Sequence, residues 1–113
     1  MGERRQFPRV PEAFRLQYRM DGELASWVTV ETRDLSASGL RFRTEAAMPL
    51  RAILRLRIEL PGFREPVELK GHVVWSEMKS NGSSEHGVEL VDVTERQRLA
   101  IDTLVGFLKR KIA

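Results

Sequence analysis

From Phe14 onward, apolar and polar residues alternate. Phe14, Leu16, Tyr18 and Met20 are interleaved with Arg15, Gln17 and Arg19, the period-two pattern of a half-buried strand. Asp21-Gly22 supplies a turn, and Trp27, Val28, Val30 and Thr32 form a second strand that ends near Asp34. Leu40-Arg41-Phe42-Arg43 reads as a short third strand. Residues 51–60 are the clearest case, with Leu54, Leu56, Ile58 and Leu60 on one face and Arg55, Arg57 and Glu59 on the other. Pro61-Gly62 breaks that run. Val67, Leu69, Gly71, Val73 and Trp75 make a fifth strand, with a bend or bulge expected at Gly71. After the loop Asn81-Gly82-Ser83-Ser84, residues 87–91 give the last strand.

The period then lengthens. Thr94-Glu95-Arg96-Gln97 has the form of a capping box. Ile101, Leu104, Val105, Leu108 and Ile112 follow as one apolar stripe of a helix over about 94–111. Six short strands and one C-terminal helix predict a mainly β fold, a six-stranded antiparallel β-barrel closed on itself with the helix packed against it. Residues 1–12 carry no period and contain Pro8 and Pro11, so they are expected to form a flexible, extended arm before a domain at 13–113.

Composition narrows the chemistry. The 113 residues allow one modest core, and the absence of cysteine removes disulfides, thiolate metal sites and cysteine nucleophiles. With only His72 and His86, a histidine-rich metal centre is not expected. No apolar run reaches the roughly 20 residues that cross a bilayer, so a cytoplasmic protein without membrane insertion is expected. The net charge is +3 and the sequence pI about 9.8, with the excess largely in arginine. Arginine's planar fork suits phosphates and nucleobase edges, which points to an anionic partner.

Two short patterns carry candidate chemistry. In the arm, Arg5 and Arg9 of Arg4-Arg5-Gln6-Phe7-Pro8-Arg9 lie four apart, on one side of an extended chain and up to about 13 Å from each other. Such forks can bind phosphate oxygens bidentately, pair with guanine O6 and N7, or stack on an aromatic face. The second pattern, Asp34-Leu35-Ser36-Ala37-Ser38-Gly39, joins the second and third strands. Asp34 is an acceptor-only carboxylate suited to the N–H groups of a guanine edge, and Ser36 and Ser38 add hydroxyls. Gly39 allows a tight backbone and close approach of a ligand.

Together these motifs resemble those of the PilZ family. Arg5-x-x-x-Arg9 with Arg4 before it is similar to the family's RRxxxR motif, and Asp34-x-Ser36-x-x-Gly39 to its D/N-x-S-x-x-G motif. Gly71-His72-Val73-Val74-Trp75 and His86-Gly87-Val88-Glu89-Leu90 resemble its later strands, so the likeness covers nearly the whole chain. The resemblance implies a PilZ-like split barrel that binds cyclic di-GMP through Arg4, Arg5, Arg9, Asp34, Ser36 and Gly39, with Gly87 close to the ligand. Arg4 further implies a stacked ligand pair. The expected protein is a receptor with no cofactor or metal and no catalytic role. It would pass the signal to an unidentified effector protein, as a monomer or weak homodimer.

Plainer readings stand beside these. On composition alone the arm arginines would read as a solvated basic tail, a reading the second motif and its spacing weigh against, and the Asp34–Gly39 corner as a structural turn, the better account of Ser38. Trp27 and Trp75 read as core or rim aromatics, His72 as exposed, and Leu35 as core. A nucleotide-independent protein adaptor on the same fold is the alternative function. A single-stranded nucleic-acid barrel would need more interleaved aromatics than a chain with one tyrosine offers, so no nucleic-acid polymer is expected. Phosphodiester cleavage would require metal ligands or a paired acid and base, and Asp34 has neither nearby in sequence.

Overall fold

The computed structural model describes residues 8–22, 26–45 and 48–112, with side chains as far as 110. Six strands precede one helix: β1 (Arg15–Met20), β2 (Val28–Leu35), β3 (Gly39–Thr44), β4 (Ile53–Ile58), β5 (Val67–Met78), β6 (Ser84–Val91) and α1 (Glu95–Ile112). The strands close into an antiparallel barrel in the order β1-β2-β3-β6-β5-β4. Closure pairs each strand on both sides and leaves no open sheet edge.

The alternation seen in the sequence becomes the inside and outside of this barrel. Leu54, Leu56 and Ile58 on β4 and Leu16 and Tyr18 on β1 point inward to meet Leu40, Phe42, Val73 and Val88. Their arginine neighbours point outward. Arg19 and Arg57 lie over the ring of Trp27, at 5.1 and 4.1 Å from its centre, a cation–π arrangement outside the barrel. The helix contributes Ile101 and Val105 to the core, both fully buried. Its first turn is closed by the expected capping box: Gln97 N–H donates to Thr94 Oγ1 at 3.0 Å, and Thr94 N–H to Gln97 Oε1 at 3.1 Å.

Three features differ from the sequence reading. The β5–β6 hairpin is longer than expected, with pairing that continues to Met78 and Ser84. Its added segment, Ser84-Glu85-His86, is polar but buried, so the apolar alternation does not mark it. His86 sits in the core beside Phe42, with Nδ1 2.7 Å from Ser76 Oγ. The register shift in β5 falls between Val73 and Trp75, while Gly71 stays in regular pairing. Lastly, Val10 and Leu35 exchange backbone hydrogen bonds of 2.9 and 3.0 Å, and Val10 is fully buried. Thr32 ties the next residues, its hydroxyl donating to Glu12 C=O at 2.8 Å and accepting from Phe14 N–H at 2.9 Å. Residues 10–14, the last part of the arm included, therefore run along β2 as part of the domain.

Candidate ligand site

Two β-bulges shape one corner of the barrel. In β2, Thr32 faces Phe42 while Asp34 faces Arg41, so Arg33 is an extra residue. A bulge re-aims the side chains that follow it. Asp34 and Leu35 are buried in succession, and the Asp34 carboxylate meets the guanidinium across the hairpin. In β5, Val73 faces Val88 while Trp75 faces Gly87, leaving Val74 extra. A pocket of about 720 Å³ lies between the two bulges. Its walls are Arg9 and Pro11 from the arm, Asp34 and Ser38–Arg41 from the β2–β3 corner, and Val74, Trp75 and residues 87–89 from the outer hairpin.

Asp34 organises the polar wall. Arg9 Nη1 donates to Asp34 Oδ1 at 2.7 Å, and Arg41 Nε donates to Oδ2 at 2.7 Å. Arg41 also reaches Glu85 at 3.3 Å, which has Lys79 at 3.2 Å and Arg43 at 3.9 Å. The hydrogen bonds to Glu77 first and Glu85 second hold the Lys79 ammonium protonated above the usual lysine range. One nearly buried carboxylate thus holds two guanidiniums at the pocket, and a second anchors Arg41 from behind. Arg41 remains about 40% exposed, enough to meet an anion.

The corner loop divides its two serines between different tasks. Ser36 is fully buried, and its oxygen accepts from the Ser38 and Gly39 amides at 3.2 Å each. The Ser36 amide closes the turn by donating to Gly39 C=O at 2.8 Å. Ser36 holds the loop's shape and does not line the pocket. Ser38 is exposed and lines it, reversing the plain expectation for the pair.

The two glycines are explained by what lies against them. A Cβ on Gly39 would fall 2.5 Å from Val88 C=O, so the corner needs glycine to lie flush on β6. A Cβ on Gly87 would come within about 2.1 Å of Trp75 Nε1. The indole lies flat over Gly87, which gives the pocket a broad aromatic wall. Trp75 is about 37% exposed there, a pocket residue more than a rim or core aromatic.

Of the residues singled out in the sequence, Arg9, Asp34, Gly39 and Gly87 line this pocket, with Ser36 directly beneath it. Arg4 and Arg5 lie outside the described residues. Arg41 and Trp75 were missed. Arg41 was legible in principle: a hairpin that pairs Leu35 with Leu40 across the corner brings Arg41 opposite Asp34. Among the described residues no cluster of three or more His, Asp or Glu side chains has the arrangement of a metal site.

The outer corner of this closed small barrel carries a concave pocket walled by two arginines, two carboxylates and an indole. The chain belongs to the PilZ domain family, whose family model matches residues 3–107. A search of curated proteins finds no match. Among solved structures, Bacillus subtilis MotI/DgrA, an inhibitor of motility, aligns with a TM-score of 0.77 at 16% identity, over 97% of this chain and 52% of its own. The PilZ domain of Escherichia coli YcgR with c-di-GMP aligns at 0.67 and 13% identity, over 97% and 95%. The CeSA PilZ domain from a cellulose-synthesizing bacterium aligns at 0.65 and 20% identity, over 90% and 98%. The chain spans about half the length of MotI/DgrA and nearly all of the isolated PilZ domains. At these identities the likeness establishes the fold. No helix among the described residues is long and apolar enough to cross a membrane.

Proposed function

We propose that this protein is a cyclic di-GMP receptor whose pocket is the corner bounded by Arg9, Asp34, Ser38, Gly39, Arg41, Trp75 and Gly87. The observation that carries the reading is the meeting of the two motifs. Arg9 of the arm touches Asp34 of the corner at 2.7 Å, on the wall of a pocket within the ordinary 300–1,000 Å³ range for small ligands. The YcgR structure with c-di-GMP, a relative in fold, supports the choice of ligand.

In this reading Arg9 and Arg41 engage phosphate or the guanine O6 and N7 edge. The free lone pairs of Asp34 accept from guanine N–H groups, and Ser38 adds a hydroxyl. Trp75 lies flat against a purine. Ser36, Gly39 and Gly87 act through the shape of the corner. Arg4 and Arg5 complete the cationic set and favour a stacked pair of ligands. No bond in the ligand is broken; binding rearranges the arm, and an effector protein senses the new surface. Each charge-assisted hydrogen bond contributes about 1.5–3 kcal/mol, so a few offset the ordering of a short segment.

Calorimetric titration with cyclic di-GMP, cyclic di-AMP and GMP tests this. Saturable binding of cyclic di-GMP alone, near two ligands per chain, is the expected result. No saturation by cyclic di-GMP, or equal binding of all three nucleotides, would overturn it.

A further inference from the structure

Two carboxylates line the pocket, and they differ in what they have left to offer. Asp34 has a side chain 7% exposed and a guanidinium 2.7 Å from each oxygen. Glu89 of β6 lines the same cavity with a side chain 60% exposed. His72 Nε2 lies 3.2 Å from its Oε1, and its Oε2 has no partner among the described residues. An exposed pair of that kind adds little to stability, so stability gives little reason for an acid at this position.

The register sets its aim. Glu89 follows Gly87 by two residues, so both stand on one side of β6, about 7 Å apart. Arg41 is directly across β3 from Gly87, and the Trp75 indole covers Gly87 from β5. Gly39, directly across from Glu89, places no side chain beside it. A purine laid against Trp75 therefore meets Arg41 from across the strands and Glu89 from along β6, directions about a right angle apart. Guanine carries two different edges on adjacent sides of its ring: O6 and N7 accept, while N1–H and the 2-amino group donate. Arg41 fits the first edge and Glu89 the second.

Charge points the same way. The ligand of the receptor reading is an anion, so an exposed carboxylate in its pocket opposes it unless that carboxylate faces donors. Guanine N1–H and the 2-amino group are such donors, and their bonds to a carboxylate are charge-assisted. Adenine turns a lone pair at N1 toward the same oxygens, so the group that accepts from guanine repels adenine.

We propose that Glu89 is a specificity-determining residue of this pocket. It accepts from N1–H and the 2-amino group of the guanine held against Trp75, a different guanine from the one that meets Asp34, while Arg41 takes O6 and N7 of the same base. The assignment rests on the receptor reading and adds to it the residue that selects guanine.

The probes are cyclic di-GMP and its inosine analogue, which keeps O6, N7 and N1–H and lacks only the 2-amino groups. Calorimetric titration of the wild-type chain should show tighter binding of cyclic di-GMP. Glu89→Gln should weaken cyclic di-GMP about tenfold, as expected for one lost charge-assisted contact. The analogue should lose distinctly less, so the preference between the two narrows, and Glu89→Ala should narrow it further. Both variants change an exposed side chain and should keep the wild-type urea midpoint, which separates a lost contact from a lost fold. An unchanged preference in both variants, or tighter binding of both ligands once the charge is gone, would overturn the role of Glu89 and leave the receptor reading standing. No saturation of the wild type by cyclic di-GMP would overturn both.

Discussion

At the residue scale the site turns on Asp34, a carboxylate about 5% exposed with a guanidinium on each oxygen. Two partners leave further lone pairs for a ligand, so the same side chain can orient arginine and read a donor edge. The serines nearby separate shape from contact. Ser36 satisfies two backbone amides of a buried turn, and leaving such groups without an acceptor costs about 1–3 kcal/mol. Ser36→Ala should therefore lower stability in urea by about that much. Ser38→Ala, at an exposed wall position, should leave the urea midpoint nearly unchanged and weaken cyclic di-GMP binding. The opposite pattern would show that the roles have been exchanged. The sequence shows Asp34, Ser36, Ser38 and Gly39 side by side at this corner but not how the two hydroxyls are divided between the turn and the pocket wall. Which hydroxyl faces inward depends on the turn closed by Ser36 N–H and Gly39 C=O, and composition does not carry that information.

At the scale of elements, strands and helix were legible wherever one face is buried and the other wet, as in Leu54, Leu56 and Ile58 against Arg55 and Arg57. Legibility failed at the two bulges and in the outer hairpin. There an extra residue breaks the period, or polar residues such as Glu85 and His86 are buried on ion pairs and core contacts. The arm shows the same limit. One apolar residue, Val10, between two prolines gives no pattern, yet it plugs the core and pairs with Leu35. Arg9 is thereby positioned by its neighbour. Val10→Ala removes buried methyl groups and should cost about 1–3 kcal/mol by thermal or urea unfolding. It should also weaken cyclic di-GMP binding, although Val10 does not line the pocket. Unchanged affinity in the folded variant would mean that Arg9 needs no such anchor.

On the scale of the whole molecule, closure of the barrel builds the pocket. β3 pairs with β6, which sets Leu40 against Val88, 48 residues later in the chain. That pairing sets Gly39 flush against Val88 and brings Trp75 toward Asp34 and Arg41. Sequence periodicity records which face of a strand is buried but not which distant strand it adjoins, so Trp75 could not be placed beside Asp34 and Arg41. Arg9 lies beside Asp34 because residues 10–14 run back along β2.

The most direct measurement is a calorimetric titration of cyclic di-GMP into the wild-type chain, Arg9→Ala and Arg55→Ala. Arg55 is exposed, reaches Asp21 at 3.8 Å and lies outside the pocket, so it controls for net charge. Losing a charge-assisted contact of about 1.5–3 kcal/mol should weaken binding by Arg9→Ala about tenfold or more, with Arg55→Ala close to wild type. Equal affinities for all three chains, or equal weakening by both substitutions, would contradict a clasp built from the arm and the corner.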